Sequence, residues 1–215
     1  MISHEFRTPL NVMAIAISTL ENNEDLTKNN KIKRSIARIK NASDRILATI
    51  DNMMTIYQIK TDFFIPNWQS LNLNEFCQDL ISRIDITNIY GINFYPLEGE
   101  SLITSDPRLL GCILEQLLTN ALKYSQSEVF MQVIKHHTKV EIMVSDRGIG
   151  IPAGEVSHIF EPFFRGSNVA GIHGSGLGLS LVQKCVEVCQ GTIDVVSNQA
   201  GGTTFRIFLP ITPQM

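Results

Sequence analysis

From residue 1 to about 60 the apolar positions recur at helical spacing. Phe6, Leu10, Met13, Ile17 and Leu20 step by 4, 3, 4 and 3 residues, which keeps them on one helix face. After the polar stretch Glu21 to Asn30, the residues Ile32, Ile36, Ile39, Ile46, Ile50 and Met53 continue the heptad, with Ser43 the one polar residue on the stripe. The pattern predicts two helices joined by a polar turn, a hairpin domain over residues 1–62. A lone hairpin has too little partner surface to bury both stripes. Two copies pairing as a four-helix bundle is the economical solution; the alternative is a hairpin packed onto its own second domain.

The stretch Thr61 to Asn74 carries Pro66 and no clear period, so it reads as a linker. A second domain is predicted over residues 70–213. Phe76, Leu80, Ile81 and Ile84 suit a helix. Asp106-Pro107 pairs an N-cap residue with proline at the first helical position. The helix it opens runs to about Tyr124, burying Leu110, Ile113, Leu114, Leu117, Leu118 and Ala121. Strand alternation then appears at Val129/Met131/Val133, Val140/Ile142/Val144, Ile193/Val195 and Phe205/Ile207/Leu209. A glycine-bearing region from Gly148 to Gly178 and an apolar helix to about Cys189 lie between the second and third strands. The fold class is α+β, an N-terminal helical hairpin followed by an α/β sandwich.

The 18 Lys+Arg against 21 Asp+Glu give a net charge of −3. That balance argues against a nucleic-acid binder working through a broad basic surface. No apolar run approaches the roughly 18 residues of a membrane segment, and Met1 to Glu5 lacks the basic start of a signal peptide. Cys77, Cys112, Cys185 and Cys189 have no metal or disulfide-framework spacing and read as buried free thiols. A cytoplasmic location is expected.

Four elements carry candidate chemistry. On the helix ending at Tyr124, the residues Gln116, Asn120, Lys123 and Tyr124 lie near one face. Two amides one turn apart can hold a hydrated Mg2+, a lysine can meet phosphate oxygens, and a tyrosine ring can cover a base; a solvated helix face would look the same. Asp146, Gly148 and Gly150 follow a strand directly, so the aspartate can accept from an exocyclic amine where glycines clear the approach, or the segment is a tight turn. Gly174, Gly176, Leu177 and Gly178 run straight into a helix, whose free backbone N–H groups make an anion site. Between these clusters, Phe160, Phe163 and Phe164 could anchor a mobile lid and Arg165 could reach a terminal phosphate, although core packing would also explain the rings. Fourth, His4 sits beside Glu5 at the edge of the first helix, as a nucleophile beside a proton acceptor, with Thr8 one turn further and Pro9 expected to bend the helix. His136, His137, His158 and His173 read as ordinary surface histidines.

In this order the four elements resemble a sensor histidine kinase of two-component signalling, and the likeness covers nearly the whole chain. Ile2 to Leu10 is similar to the family's phosphoacceptor motif and Leu117 to Ser125 to its Asn motif. Asp146 to Pro152, Phe160 to Arg165 and Gly174 to Leu179 are similar to its remaining nucleotide-site motifs. The resemblance implies a Bergerat-type ATP-binding sandwich, with Asp146 on adenine N6 and Thr203 behind it through water. It places Asn120 on Mg2+, and Lys123 and Arg165 on phosphates. It implies phosphorylation of His4, transfer to an aspartate of a response-regulator receiver domain, a homodimer, and a Thr8 that orients water in the reverse, phosphatase reaction. Gln116 stands where the family commonly has Asn, so the amide oxygen is kept on a longer arm. ATP-hydrolysing relatives of the gyrase and Hsp90 kind place a catalytic Glu there, and a glutamine cannot act as a base. Only three residues precede His4, which raises the expectation of a fragment or of input through another protein. The competing readings are a dimeric ATP-binding adaptor with reduced catalysis and an ATPase of the gyrase/Hsp90 type.

Overall fold

The computed structural model describes residues 2–21, 30–59, 61, 64–84, 91–125, 127–172, 174–198 and 201–213, with the side chains of residues 2–9, 12, 21, 31 and 198 outside that description. The chain divides into two units, Met1–Gln58 and Ile59–Met215.

The first unit holds helices α1 (Ile2–Glu21) and α2 (Asn30–Ile59). Their heptads split in two. Leu10 and Ile17 on α1, and Ile36 and Ser43 on α2, are each at most 5% exposed and spaced by sevens. The residues between them, Met13 and Leu20 on α1 and Ile39, Ile46 and Met53 on α2, are 42% to 53% exposed. One set of every seventh residue therefore packs within the hairpin, while the alternate set leaves large apolar side chains in water, which is unfavourable by roughly 25 cal/mol per Å2. Ser43 is buried with its hydroxyl unbonded.

The second unit is a mixed sheet with helices on one face. Its strands are β2 (Ile92–Tyr95), β4 (Val129–Lys135), β5 (Lys139–Ser145), β6 (Thr192–Asn198) and β7 (Gly202–Pro210), in the order β2-β4-β5-β7-β6. The pair β2–β4 is parallel and the others antiparallel. Val129, Met131 and Val133, then Val140, Ile142 and Val144, then Phe205, Ile207 and Leu209 point to the buried face, because strand side chains alternate. Two helices, α4 (Pro107–Tyr124) and α5 (Gly178–Val188), supply the facing apolar surface, and α3 (Leu73–Ile84) packs on α4. On the other face the aromatic rings lie under cations, Phe130 beneath Arg147 at 5.4 Å and Phe208 beneath Lys139 at 5.0 Å.

The linker expected over Thr61 to Asn74 is corrected. Gln69–Asn72 forms a strand, β1, paired antiparallel with β3 (Leu102–Ser105), and Leu73 opens α3. Each strand of this ribbon has four residues and is only partly buried, too short and too wet to print an alternation.

Asp106 fixes the start of α4. Its Oδ1 accepts from the N–H of Arg108 at 2.9 Å, its Oδ2 accepts from the N–H of Asn67 at 2.8 Å, and Arg108 pairs with it at 2.8 Å. Burial works to raise this carboxyl, but the hydrogen bonds from Arg108 and Asn67 outweigh it and hold the group below its ordinary range. All four cysteines are free. Burial pushes the Cys77 and Cys189 thiols up to about 12.

Candidate functional site

The apolar residues of α4 bury against the sheet, which turns Gln116, Asn120, Lys123 and Tyr124 the other way. Onto that polar face comes the glycine loop. A Cβ at Gly178 would lie 2.5 Å from Gln116 Oε1 and 4.0 Å from Asn120 Nδ2, and one at Gly174 would lie 2.8 Å from Lys123 Nζ. The loop backbone lies directly against the Gln116 amide and the Lys123 ammonium, so a side chain there would have to push these mobile groups aside, while Asn120 stays at ordinary contact distance. Gly176 adopts φ 74°, and a Cβ there would meet the backbone of Phe163 at 2.6 Å. The loop leads directly into α5, whose N-cap Leu177 is itself buried and offers no capping side chain. The positive end of α5 thus faces the groove between loop and helix. Lys123 Nζ lies 4.8 Å from the centre of the Tyr124 ring.

At the other end of the groove, β5 delivers Asp146. Its N–H donates to Thr203 O at 2.9 Å, and its Oδ1 accepts from the N–H of Gly148 at 2.7 Å. Asp146 is only 8% exposed. Burial raises its carboxyl above the ordinary range, and the bonds from Gly148 and Thr203 pull back only in part. A Cβ at Gly148 would strike Tyr124 O at 2.3 Å. Gly150 has φ 64°, and Ile149 N–H donates to Tyr124 O at 3.3 Å, so this turn is fastened to the end of α4. Sequence reasoning missed Ser197, whose Oγ accepts from the N–H of Ile151 at 2.8 Å and lies 2.9 Å from Thr203 Oγ1. It occupies an ordinary polar slot of a strand and carried no signal.

The loop departs from expectation in two respects. Arg165 is turned onto its own segment, donating to the carbonyls of Val169 (3.4 Å) and Ile172. The three phenylalanines are not a common anchor: Phe163 is 61% exposed with φ 67°, Phe160 and Phe164 are half-buried, and Ile159 is the buried residue of the segment. Phe163 instead grips the glycine loop through its backbone, its N–H donating to Gly176 O at 3.0 Å. His4, Glu5 and Thr8 fall within α1, but their side chains lie outside the described residues.

A sheet roofed on one face by helices, with an uncapped helix end and a glycine loop laid on an amide-bearing helix, defines an anion-binding sandwich. Residues 105–213 match the family model "Histidine kinase-, DNA gyrase B-, and HSP90-like ATPase", and residues 1–62 match "His Kinase A (phospho-acceptor) domain". The chain is 27% identical to sensor protein kinase WalK of Staphylococcus haemolyticus, over 97% of this chain and 35% of that protein. It is 28% identical to sensor protein KdpD of Mycobacterium tuberculosis, over 97% of this chain and 25% of that protein. It thus spans a minor part of these curated relatives. Among solved structures, full-length ShkA in complex with AMPPNP superposes with a TM-score of 0.79 at 21% identity, covering 97% of this chain and 44% of that one. The mycobacterial sensor histidine kinase MprB gives 0.60 at 26% identity, over 69% of this chain and all of that one. The chain belongs to the sensor histidine kinases within the histidine kinase-, gyrase- and HSP90-like family. Among the described residues no helix is long and apolar enough to cross a membrane.

Proposed function

We propose that this chain phosphorylates its own His4 from ATP and passes the phosphoryl group to an aspartate of a response-regulator receiver domain. The observation that carries the reading is the close seating of Gly174 and Gly178 against Lys123, Gln116 and Asn120 at the start of α5. That arrangement suits a polyphosphate: backbone N–H groups and an ammonium for its oxygens, two amide oxygens for its cation. Asp146 accepts from the adenine amine, with Thr203 behind it, in a pocket cleared by Gly148 and Gly150. Arg165 leaves the Val169 and Ile172 carbonyls to meet the phosphates.

The residues fit Mg2+, with Asn120 and Gln116 to hold it; when bound it neutralises charge on the phosphates. A ring nitrogen of His4 attacks the terminal phosphorus, the bond to the bridging oxygen of ADP breaks, and Glu5 takes the imidazole proton. The histidine then gives up its phosphoryl group to the receiver aspartate, and Thr8 orients water in the reverse reaction. Residues 1–62 serve as the dimerisation and phosphoacceptor domain and residues 70–213 as the catalytic domain. The open heptad set of Met13, Leu20, Ile39, Ile46 and Met53 supports a homodimer, since a second hairpin is the surface that such a repeat fits. A hydrolase of the gyrase and HSP90 kind is disfavoured by Gln116, which cannot activate water.

The test is incubation with γ-labelled ATP and Mg2+. The label should appear on the chain, survive base and be lost in acid, and His4→Gln should abolish it while nucleotide binding persists. Labelling that survives His4→Gln, or loss of nucleotide binding in that variant, would overturn the reading.

A further inference from the structure

Among the described residues, the connection between β5 and α5 contains two short 3-10 turns, Ala153–Glu155 and Ser167–Val169. A long segment with so little internal structure needs tethers to hold one position. Besides the Phe163–Gly176 and Ile151–Ser197 bonds, two side chains hold the second turn, one from the first turn and one reaching the Ile149–Gly150 bend just beyond Asp146. The carboxylate of Glu155 accepts from the N–H of Ser167, at 3.1 Å to Oε2 and 3.3 Å to Oε1. The carboxamide of Asn168 donates from Nδ2 to Gly150 O at 2.9 Å and lies 3.5 Å from Ile149 O. Gly166 fits between the clips, where a Cβ would lie 3.0 Å from Glu155 Oε2 and 3.1 Å from Asn168 Oδ1.

We propose that Asn168 is a positioning residue that pins the loop to the Ile149–Gly150 turn and so sets how tightly the site holds nucleotide; this rests on the ATP-binding reading above. The turn it grips is short and constrained. Gly150 has a positive φ, Ile149 is bonded to the end of α4, and Gly148 is bonded to the Asp146 carboxylate. A pull on Gly150 O therefore reaches the groups assigned to the base. On the loop side, Val169 directly follows Asn168 and its carbonyl is one of the two that Arg165 engages. When Arg165 leaves for the phosphates, that carbonyl loses a donor and Asn168 keeps the turn in place. One amide thus joins the base end of the groove to its phosphate end.

The test uses the full chain, beginning with ATP affinity of the parent by calorimetry. Asn168→Ala should weaken binding about fivefold, the worth of one net hydrogen bond, and raise KM for ATP in autophosphorylation by a similar factor with a smaller change in kcat. Asn168→Asp has the same shape but sets an acceptor against two carbonyl oxygens, so it should bind ATP no better than Asn168→Ala. Asn168→Gln, which keeps the donor, should recover part of the affinity. If all three variants bind ATP like the parent, or if kcat and melting temperature fall together while KM stays put, the inference is overturned. A parent that binds no ATP would instead refute the reading on which it rests.

Discussion

The N–H of Asp146 donates to the carbonyl of Thr203 across 2.9 Å, one rung beyond the last registered pair of β5 and β7, Ser145 and Thr204. This bond helps to aim the carboxylate, whose Oδ1 accepts from Gly148 N–H and which the Thr203 backbone also bonds. Substituting Asp146→Asn would keep the oxygen on Gly148 and turn an NH2 toward the adenine amine, donor against donor. ATP affinity should fall roughly 10- to 100-fold, the value of a charge-assisted hydrogen bond, with little change in melting temperature. Unchanged affinity by calorimetry would remove Asp146 from the base site.

Burial raises the Asp146 carboxyl, so ATP binding should weaken as pH falls through that raised value, where the group becomes a donor. The stability term has its own sign. A carboxyl whose folded pKa exceeds its unfolded one contributes fully below the unfolded value and loses that contribution as pH rises to the folded value. Melting temperature against pH should therefore be flatter in this window for Asp146→Asn than for the parent. Identical profiles would contradict the shift.

Asp106 runs the other way. Its carboxyl lies below the ordinary range, so its contribution is present above the unfolded pKa and lost as pH falls through the folded one. Asp106→Ala strips α4 of its N-cap and leaves Asn67 N–H unpaired. The expected cost is about 1–2 kcal/mol by urea denaturation at neutral pH, shrinking in acid. A cost that does not shrink would point to lost packing instead.

Gly202→Ala probes the floor of the site. Gly202 has φ 89°, and a Cβ there would lie 1.9 Å from Asp146 O. No rotamer relieves a backbone clash, so a loss of 2 kcal/mol or more is expected, from about 1–3 kcal/mol for the φ alone plus displacement of β7. Calorimetry should find a clearly lower melting temperature and weakened ATP binding. A variant as stable as the parent would contradict this placement.

Ile46→Lys tests the open heptad set. Ile46 is half exposed in the single chain, so a lysine there can reach water without disturbing Leu10, Ile17 or Ile36. In a paired bundle it would be buried and charged, at a cost of several kcal/mol. Light scattering should find the parent dimeric and the variant monomeric. A variant that stays dimeric would place the partner elsewhere.

The sandwich was legible where periodicity is long. The seven- and nine-residue strands and the Asp106-Pro107 start of α4 stand out, and with them the face carrying Gln116, Asn120, Lys123 and Tyr124. The four-residue strands β1, β2 and β3 were invisible because so few residues, partly exposed in β1 and β2 and with two buried in β3, make no pattern. The heptad of the hairpin was plain, but its division into packed and open sets depends on how α1 lies on α2, which spacing does not state. The partners of Glu155 and Asn168 sit 12 and 18 residues away, a distance fixed by the folded loop alone. The same holds for the turning of Arg165 onto Val169 and Ile172.

Since β5 runs between β4 and β7 with both edges bonded, the Asp146 amide should exchange its proton for deuterium only as slowly as the core itself opens. The amides of residues 153–172 and 174–177, outside any ladder, should exchange orders of magnitude sooner. A nucleotide bound here would stay moored by its ring to the slowest part of the chain while the cover over its tail comes and goes.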